Sequence, residues 1–344
     1  MVYQLLRPIL FLSDAERAHL WSLAALRMMH LPNPSAGESV LKQELFGLHF
    51  PNPVGLAPGY DKNAEVAGQI MRLGFGYAEV GTLTPLPQQG NAKPRLFRLV
   101  EDQAVINRMG FNNEGQAAAS ARLAKDNRRR PGPLGINIGA NKDSVDRIAD
   151  YVTGTKNMAS LADYLTVNIS SPNTPGLRAL QDKSALDDLL AQVMAARPSP
   201  VPVLLKVAPD LTPADIDDII EISLKHELAA LIVSNTTITR PELRSRHAGE
   251  AGGLSGAPLR DLAQQRLRDF RVASGGAIPL IGVGGISSAQ DAYDRIRAGA
   301  SLIQIYSALV YYGPGLAKQI SNGLVNLLRR DGFQNIGEAV GTAK

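Results

Sequence analysis

The chain has 344 residues, 44% of them hydrophobic and 20% charged, enough for a sizeable core and against disorder; the length suits two average domains or one large α/β barrel. It contains no cysteine, which excludes disulfides, thiolate–metal sites and a Cys nucleophile and suits a reducing compartment. Lys+Arg exceeds Asp+Glu by 36 − 32 = +4, a mild excess that fits an anionic substrate, an anionic membrane surface or nucleic acid alike.

The first thirty residues read as two short helices. Ser13-Asp14-Ala15-Glu16 has the form of a capping box, with the Ser13 hydroxyl taking a helix N–H and Glu16 reaching back. Leu5, Leu6, Ile9, Leu10 and Leu12, then Leu20, Trp21, Leu23 and Met28, make both segments more apolar than an ordinary surface helix requires. Arg7, Asp14, Glu16 and Arg17 interrupt the stretch, so it is neither a membrane span nor a secretory leader, and a cytoplasmic protein that touches a membrane is expected. A linker, LPNPSAGES, occupies 31–39.

Eight short apolar runs then recur: 54–57, 77–81, 135–139, 164–170, 203–208, 230–235, 280–285 and 302–307. Several are nearly continuous, as buried parallel strands require, and helix-like segments such as 184–196 and 213–227 fill the gaps. Eight strands alternating with helices spell an α/β (β/α)8 TIM barrel. The gap 82–134 is too long for one helix, and its RLFRLV and AVINRM runs read as an inserted hairpin near the barrel top. The polar, Gly-rich stretch 236–258 reads as a lid.

Polar and Gly residues gather where each strand ends, which is where barrel active sites lie. Such residues end strands in any protein, yet Asn137, Asn168 and Lys206 sit inside apolar runs rather than after them. Gly284 and Gly285 after the seventh strand, with GGLSGAPL at 252–259, suit a phosphate. No P-loop and no strand-borne GxGxxG is present. Lys206 brings a cation to the barrel mouth, which suits the negative charge of a reduced flavin. Asn107, Asn168, Asn173 and Asn235, with Thr236, offer converging amides for a planar ligand such as a pyrimidine, and Lys62 suits a carboxylate on it. The same phosphate site would serve a non-redox barrel enzyme acting on a phosphorylated metabolite, against which Lys206 counts. A nucleic-acid module rests on the pI alone, since Arg128-Arg129-Arg130 is too short a basic run. His19, His30, His49, His226 and His247 are scattered and no metal site is expected.

Over essentially its full length the chain resembles the quinone-dependent, membrane-associated family 2 of dihydroorotate dehydrogenases from bacteria. The resemblance rests on ERAH, NPVGLAPGYDKN at 52–63, EVGTLTP at 79–85, KPRLFRL at 93–99, NRMGFNN at 107–113 and GINIGANKD at 135–143. It continues through NISSPNTPGLR at 168–178, SNTT at 234–237, GGLSGAPL, GVGGI and GASLIQIYS. It implies oxidation of dihydroorotate to orotate in pyrimidine synthesis, with one FMN per chain as hydride acceptor and a membrane quinone, such as ubiquinone, as final acceptor. It makes Ser171 the base, where family-1 relatives use Cys, with Thr174 and a water beside Phe111 passing the proton on. Substrate would meet Lys62, Asn107, Arg108, Met109, Gly110, Phe111, Asn168, Asn173, Asn235 and Thr236. FMN would be held by Pro58, Gly59, Tyr60, Asp61, Lys62, Thr82 and Asn137, and by Asn168, Lys206, Ser234, Gly256, Gly285, Tyr306 and Ser307. Tyr60 departs from the Phe or Leu more usual in relatives and is expected to alter packing against the flavin. Arg98 and His19 match quinone-site positions. The resemblance further implies a hairpin at 1–36 for quinone and lipid contact, a catalytic barrel at 37–344, and a peripheral monomer on the cytoplasmic side of the inner membrane.

Overall fold

The computed structural model describes residues 2–34, 37–125 and 130–343. Ser35 and Ala36 of the linker, and Arg128 and Arg129 of the basic run, lie outside the described residues. Two helices open the chain, α1 (Val2–Leu12) and α2 (Ala15–Met28), followed by a short hairpin of β1 (Gln43–Leu45) and β2 (Leu48–Phe50). Next come β3 (Val54–Leu56), α3 (Ala67–Arg72), β4 (Tyr77–Leu83), β5 (Leu96–Leu99), β6 (Ala104–Asn107) and α4 (Gly115–Lys125). The chain continues as β7 (Leu134–Ile138), α5 (Arg147–Met158), β8 (Tyr164–Asn168), α6 (Lys183–Ala196), β9 (Val203–Val207), α7 (Pro213–Lys225) and β10 (Ala230–Val233). It ends with β11 (Gly253–Gly256), α8 (Arg260–Ala273), β12 (Leu280–Val283), α9 (Ala289–Arg297), β13 (Ala300–Ile305), α10 (Ser307–Tyr312) and α11 (Leu316–Arg330).

The eight expected runs are the eight barrel strands, all parallel and closed in the order β3-β4-β7-β8-β9-β10-β12-β13. Side chains alternate along each strand. Ala78, Val80, Leu165, Val167, Leu205 and Val207 join the large core with the helices. Tyr77, Tyr164, Leu204, Ile232, Ile281 and Leu302 have the other parity and form a separate core inside the barrel. Glycine makes room for the two tyrosines: a Cβ on Gly55 would lie 2.2 Å from the Tyr77 ring, and one on Gly135 2.1 Å from the Tyr164 ring. Phe50 packs edge-on to Tyr77 at 5.3 Å, so the β1–β2 hairpin closes the N-terminal end of the barrel.

The expected hairpin between β4 and β7 is β5 and β6, antiparallel. The segment expected as a lid contributes β11, which pairs with β6 and makes a three-stranded sheet. The pairing depends on backbone register rather than on an alternating pattern, because GLSG has none.

The two N-terminal helices dock over this sheet and the barrel mouth. The expected capping box does not form: Asp14 is the N-cap and accepts from Arg17 N–H at 2.9 Å, while the Ser13 hydroxyl donates to Leu10 C=O at 2.6 Å. Glu16 is drawn away by a stronger partner. Its buried carboxylate takes Arg95 Nη2 at 2.6 Å and Nε at 3.1 Å, a bidentate pair between α2 and the segment entering β5. Arg95 completes its fork on Gln89 and Asn91 carbonyls. Arg98 donates to the Leu10 and Ser13 carbonyls, tying down the end of α1. Tyr3 OH reaches Val310 C=O on α10 at 2.6 Å. Outward, Leu5, Ile9 and Leu12 are 78%, 66% and 88% exposed, and Leu20, Trp21 and Met28 are exposed too. Among the described residues no helix is long and apolar enough to cross a membrane.

Removing one partner of a buried pair strands the other charge, at a cost of about 3–5 kcal/mol. Arg95→Ala is therefore expected to release α1 and α2 before the barrel melts, read as selective proteolysis within the first thirty residues. The Glu16 carboxyl feels burial pushing its pKa up, but Arg95 and Lys93 hold it below the ordinary value. Its contribution is complete above the unfolded carboxylate pKa and is lost as pH falls through the lower folded one. Hairpin release on acidification should follow that sign in the wild type and vanish in Glu16→Gln, where the hairpin is loose at every pH.

Candidate active site

The C-terminal strand ends carry a polar ladder that starts from one carboxylate. Glu79 on β4 is fully buried inside the barrel. It accepts from Asn137 Nδ2 at 2.7 Å, Gln304 Nε2 at 2.7 Å and Tyr164 OH at 3.3 Å. Asn137 then turns Oδ1 towards Thr82 Oγ1 at 2.6 Å and Asn168 Nδ2 at 3.1 Å. The Asn168 Oδ1 accepts from Ser170 Oγ at 2.9 Å, and Ser170 Oγ takes Asn235 Nδ2 at 2.9 Å. Asn173 Nδ2 donates to Asn107 Oδ1 at 3.2 Å, so the inserted hairpin closes on the loop after β8. The expected set of amides does converge.

Lys206, also inside the barrel, is 5% exposed and has no hydrogen-bond partner among the described residues. Burial lowers its pKa and the charge of Glu79 opposes that shift. Lys62 Nζ donates to Gly59 C=O at 2.6 Å; burial pulls its pKa down to about 8 against the opposing pull of Glu16. Ser171 Oγ accepts the Asn173 N–H at 3.2 Å. Among the described residues the buried Thr174 and Thr236 hydroxyl oxygens have no hydrogen-bond partner.

Many of these side chains line one cavity of about 480 Å³ that runs from between α1 and α2 to the strand ends. Pro58, Gly59, Tyr60, Lys62, Thr82, Lys206, Ser234, Gly256, Gly285, Tyr306 and Ser307 lie on its wall. So do Asn107, Met109, Gly110, Phe111, Asn168, Ser171, Asn173, Asn235 and Thr236, and at the hairpin end His19 and Arg98. After β6 the chain turns at Gly110 and Phe111, at φ 70° and 53°; at Phe111 that backbone is rare for a bulky residue and costs about 1–3 kcal/mol.

Four expected residues are not on the wall. The Asp61 carboxylate faces inward and caps the Glu65 and Val66 N–H groups at 2.7 and 2.8 Å. Arg108 turns outward to Glu250 at 2.7 Å, stacking 4.5 Å from Phe97. Asn137 stands behind Thr82 and Asn168, and Thr174 behind the wall. Tyr60 spans the cavity's two halves: edge-on to His19 at 5.2 Å and to Tyr306 at 5.8 Å, with its OH 2.9 Å from Ser22 Oγ on α2. Tyr60 thus ties the barrel to the hairpin. Burial drives the His19 pKa down to about 3, so its ring is neutral.

Sequence reasoning missed Glu79 as an organiser, and Gln304, whose Oε1 is buried and unpartnered on the cavity wall. It also missed Ser255, which pairs with Ser307 at 2.7 Å. The parity of Gln304 within LIQIYS was the available signal: a lone amide in an apolar strand.

Comparison with known proteins gives the family. The family model described as dihydroorotate dehydrogenase matches residues 40–328. A protein from Novosphingobium aromaticivorans named dihydroorotate dehydrogenase (quinone) is 64% identical, covering 99% of both chains. One of the same name from Sphingopyxis alaskensis is 63% identical, over 98% of this chain and 96% of the other. The ligand-free DHODH of Eimeria tenella superposes with a TM-score of 0.92 at 40% identity, over 96% of this chain and 99% of that one. A second structure from that organism, in complex with ferulenol, gives the same TM-score at 39% identity, over 96% and 95%. With its barrel, its strand-end ladder and near-complete overlap with quinone-type relatives, the chain belongs to the dihydroorotate dehydrogenase family.

Proposed function

We propose that the chain oxidises dihydroorotate to orotate in pyrimidine synthesis, with one FMN per chain and a membrane quinone as final electron acceptor. The observation that carries this reading is the single cavity, which joins Ser171 and Lys206 at the strand ends to His19 and Arg98 at the hairpin.

The residues present fit FMN on unsatisfied chemistry. Among the described residues the buried Lys206 side chain has no hydrogen-bond partner and Gln304 Oε1 is a buried acceptor without one, and both residues line the cavity. A heterocycle with alternating N–H and C=O groups answers both, and the glycine turn at Gly284–Gly285 answers its phosphate. When bound, the flavin supplies hydride acceptance and one- or two-electron transfer to a quinone. Gly59, Thr82, Lys206, Ser234, Gly256, Gly285, Tyr306 and Ser307 would hold it, with Asn137 and Asp61 supporting the wall from behind.

At the substrate end, the Lys62 cation takes a carboxylate and the amides of Asn107, Asn168, Asn173 and Asn235, with Thr236, take the ring. Ser171 Oγ removes the proton from substrate carbon. A serine hydroxyl is a weak base, and the Asn173 N–H on Oγ favours its deprotonated character. The buried, unpartnered Thr174 hydroxyl is a next station for the proton. At the hairpin end, neutral His19 and the Arg98 guanidinium offer donors to quinone oxygens. The exposed Leu5, Ile9, Leu12 and Trp21 give the hairpin an apolar outer face that binds the lipid interface. The division into a hairpin at 1–36 and a barrel at 37–344, a single copy, and a peripheral position on the cytoplasmic side of the inner membrane complete the reading.

The purified protein is expected to be yellow. Dihydroorotate should bleach the flavin in a single turnover and quinone should restore it; a colourless protein, or a flavin that dihydroorotate leaves oxidised, would sink the reading. Ser171→Ala should keep flavin and orotate yet reduce its flavin about 10²–10⁴-fold more slowly, checked by stopped-flow absorbance.

Orotate affinity carries a pH signature. Lys62 is protonated below about 8 and loses its charge as pH rises through that value. Orotate should therefore bind tightest below that point and weaken above it, while Lys62→Met binds weakly with no step there. Titration across the range by flavin absorbance checks both.

Trp21→Glu puts a charge on the outer face without touching the barrel. It should release the protein from anionic lipid vesicles and slow turnover with a long-tailed quinone, while single-turnover bleaching by dihydroorotate is unchanged.

A further inference from the structure

A guanidinium lies buried beneath the glycine turn that follows β12. Arg295 on α9 is 1% exposed. Its Nη1 donates to Val283 C=O at 3.1 Å. Its Nη2 donates to Gly284 C=O at 2.9 Å and Arg260 C=O at 3.2 Å, and its Nε to Gln264 Oε1 at 2.6 Å. Every acceptor is neutral, and among the described residues no carboxylate oxygen lies within 4.0 Å of it. Asp291 and Asp261 act on it only from further off, and Asp291 is engaged by Arg260 at 3.3 Å and by Ser287 N–H at 2.9 Å. Burial lowers the Arg295 pKa to about 10, which leaves it charged at neutral pH.

A buried cation without a counterion is costly, and its cost falls if an anion binds nearby. The backbone offers a place for one. In a trans peptide the C=O and N–H point to opposite sides. Gly284 C=O faces Arg295, so Gly285 N–H faces away from it, and Gly285 lines the cavity. That N–H has no acceptor among the described residues. Gly285 has φ 71°, and a Cβ there would lie 2.4 Å from Arg260 Cα, so the turn must stay bare backbone.

We infer that Arg295 is the buried countercharge for the phosphate of FMN: it aims the Gly284–Gly285 peptides into the cavity and supplies positive potential behind them. It does not touch the phosphate, so it is a positioning residue, and the inference rests on the reading that this cavity takes FMN.

The test is flavin exchange. Holoenzyme is equilibrated with mixtures of FMN and riboflavin, and the bound flavins are separated and quantified. Wild type should favour FMN strongly. Arg295→Met should lower that preference about tenfold or more, the order expected for a charge pair several ångströms apart at an effective dielectric of about 20. Arg295→Lys should recover most of it. A role in packing alone weakens both flavins together and leaves their ratio fixed, and that result would overturn the inference.

If Arg295→Met does not fold, the wild type and Arg295→Lys carry the test. Mobile ions screen a buried charge poorly, so the wild-type preference should persist from low to high salt. A preference that collapses in salt would assign the charge to an exposed group such as Arg260 and overturn the assignment. Equal affinity for riboflavin and FMN would overturn it too, yet leave bleaching by dihydroorotate, and so the proposed reaction, intact.

Discussion

The site is organised around a charge placed where charges are expensive. Glu79 sits wholly inside the barrel, and removing a carboxylate from water costs several kcal/mol unless donors surround it. Three donors do so. An amide can offer a carboxylate only its nitrogen, so Glu79 decides which way Asn137 and Gln304 face. Asn137 must then present oxygen to Thr82 and Asn168, and Asn168 must present oxygen to Ser170 and, through it, Asn235. One buried carboxyl group thus sets the donor–acceptor polarity of a ladder that reaches the amides of Asn168 and Asn235. Lys206 shares the same interior and gains from the same charge.

A second constraint holds the two ends of the cavity together. The helical hairpin would be an amphipathic appendage were it not tied at buried points. Glu16 and Arg95 form one tie and Arg98 a second. Tyr60 forms the third, between His19, Tyr306 and Ser22. Each crosses from the first thirty residues to the barrel or its inserted sheet. The wall near His19 and the wall near Tyr306 are therefore joined by one run of edge-on aromatic contacts.

The barrel was legible because buried parallel strands are written as short apolar runs, and all eight runs are strands. The site was legible where a polar residue interrupts such a run, as at Asn137, Asn168 and Lys206, or where a motif matched a family. What could not be read is tertiary competition. Ser13 to Glu16 spells a capping box, but Arg95 is a better partner for Glu16 than a helix N–H, and Asp14 caps instead. Asp61 lies in a motif that reads as cofactor contact, yet two local N–H groups take its carboxylate. Arg108 sits among candidate binding residues along the chain, but Glu250, far off in sequence, turns it outward. In GLSG no side-chain pattern exists to announce a strand; its pairing with β6 comes from backbone alone.

The plug of Phe50, Tyr77 and Tyr164 leaves the barrel open at one end only. The turn of the plugging hairpin, at Phe46-Gly47, ends in an exposed glycine whose φ of 77° keeps that position glycine. It lies opposite the mouth and the apolar helices. A surface, dye or electrode coupled at that turn would hold the molecule with its mouth outward, making the closed end of the barrel a natural point of attachment.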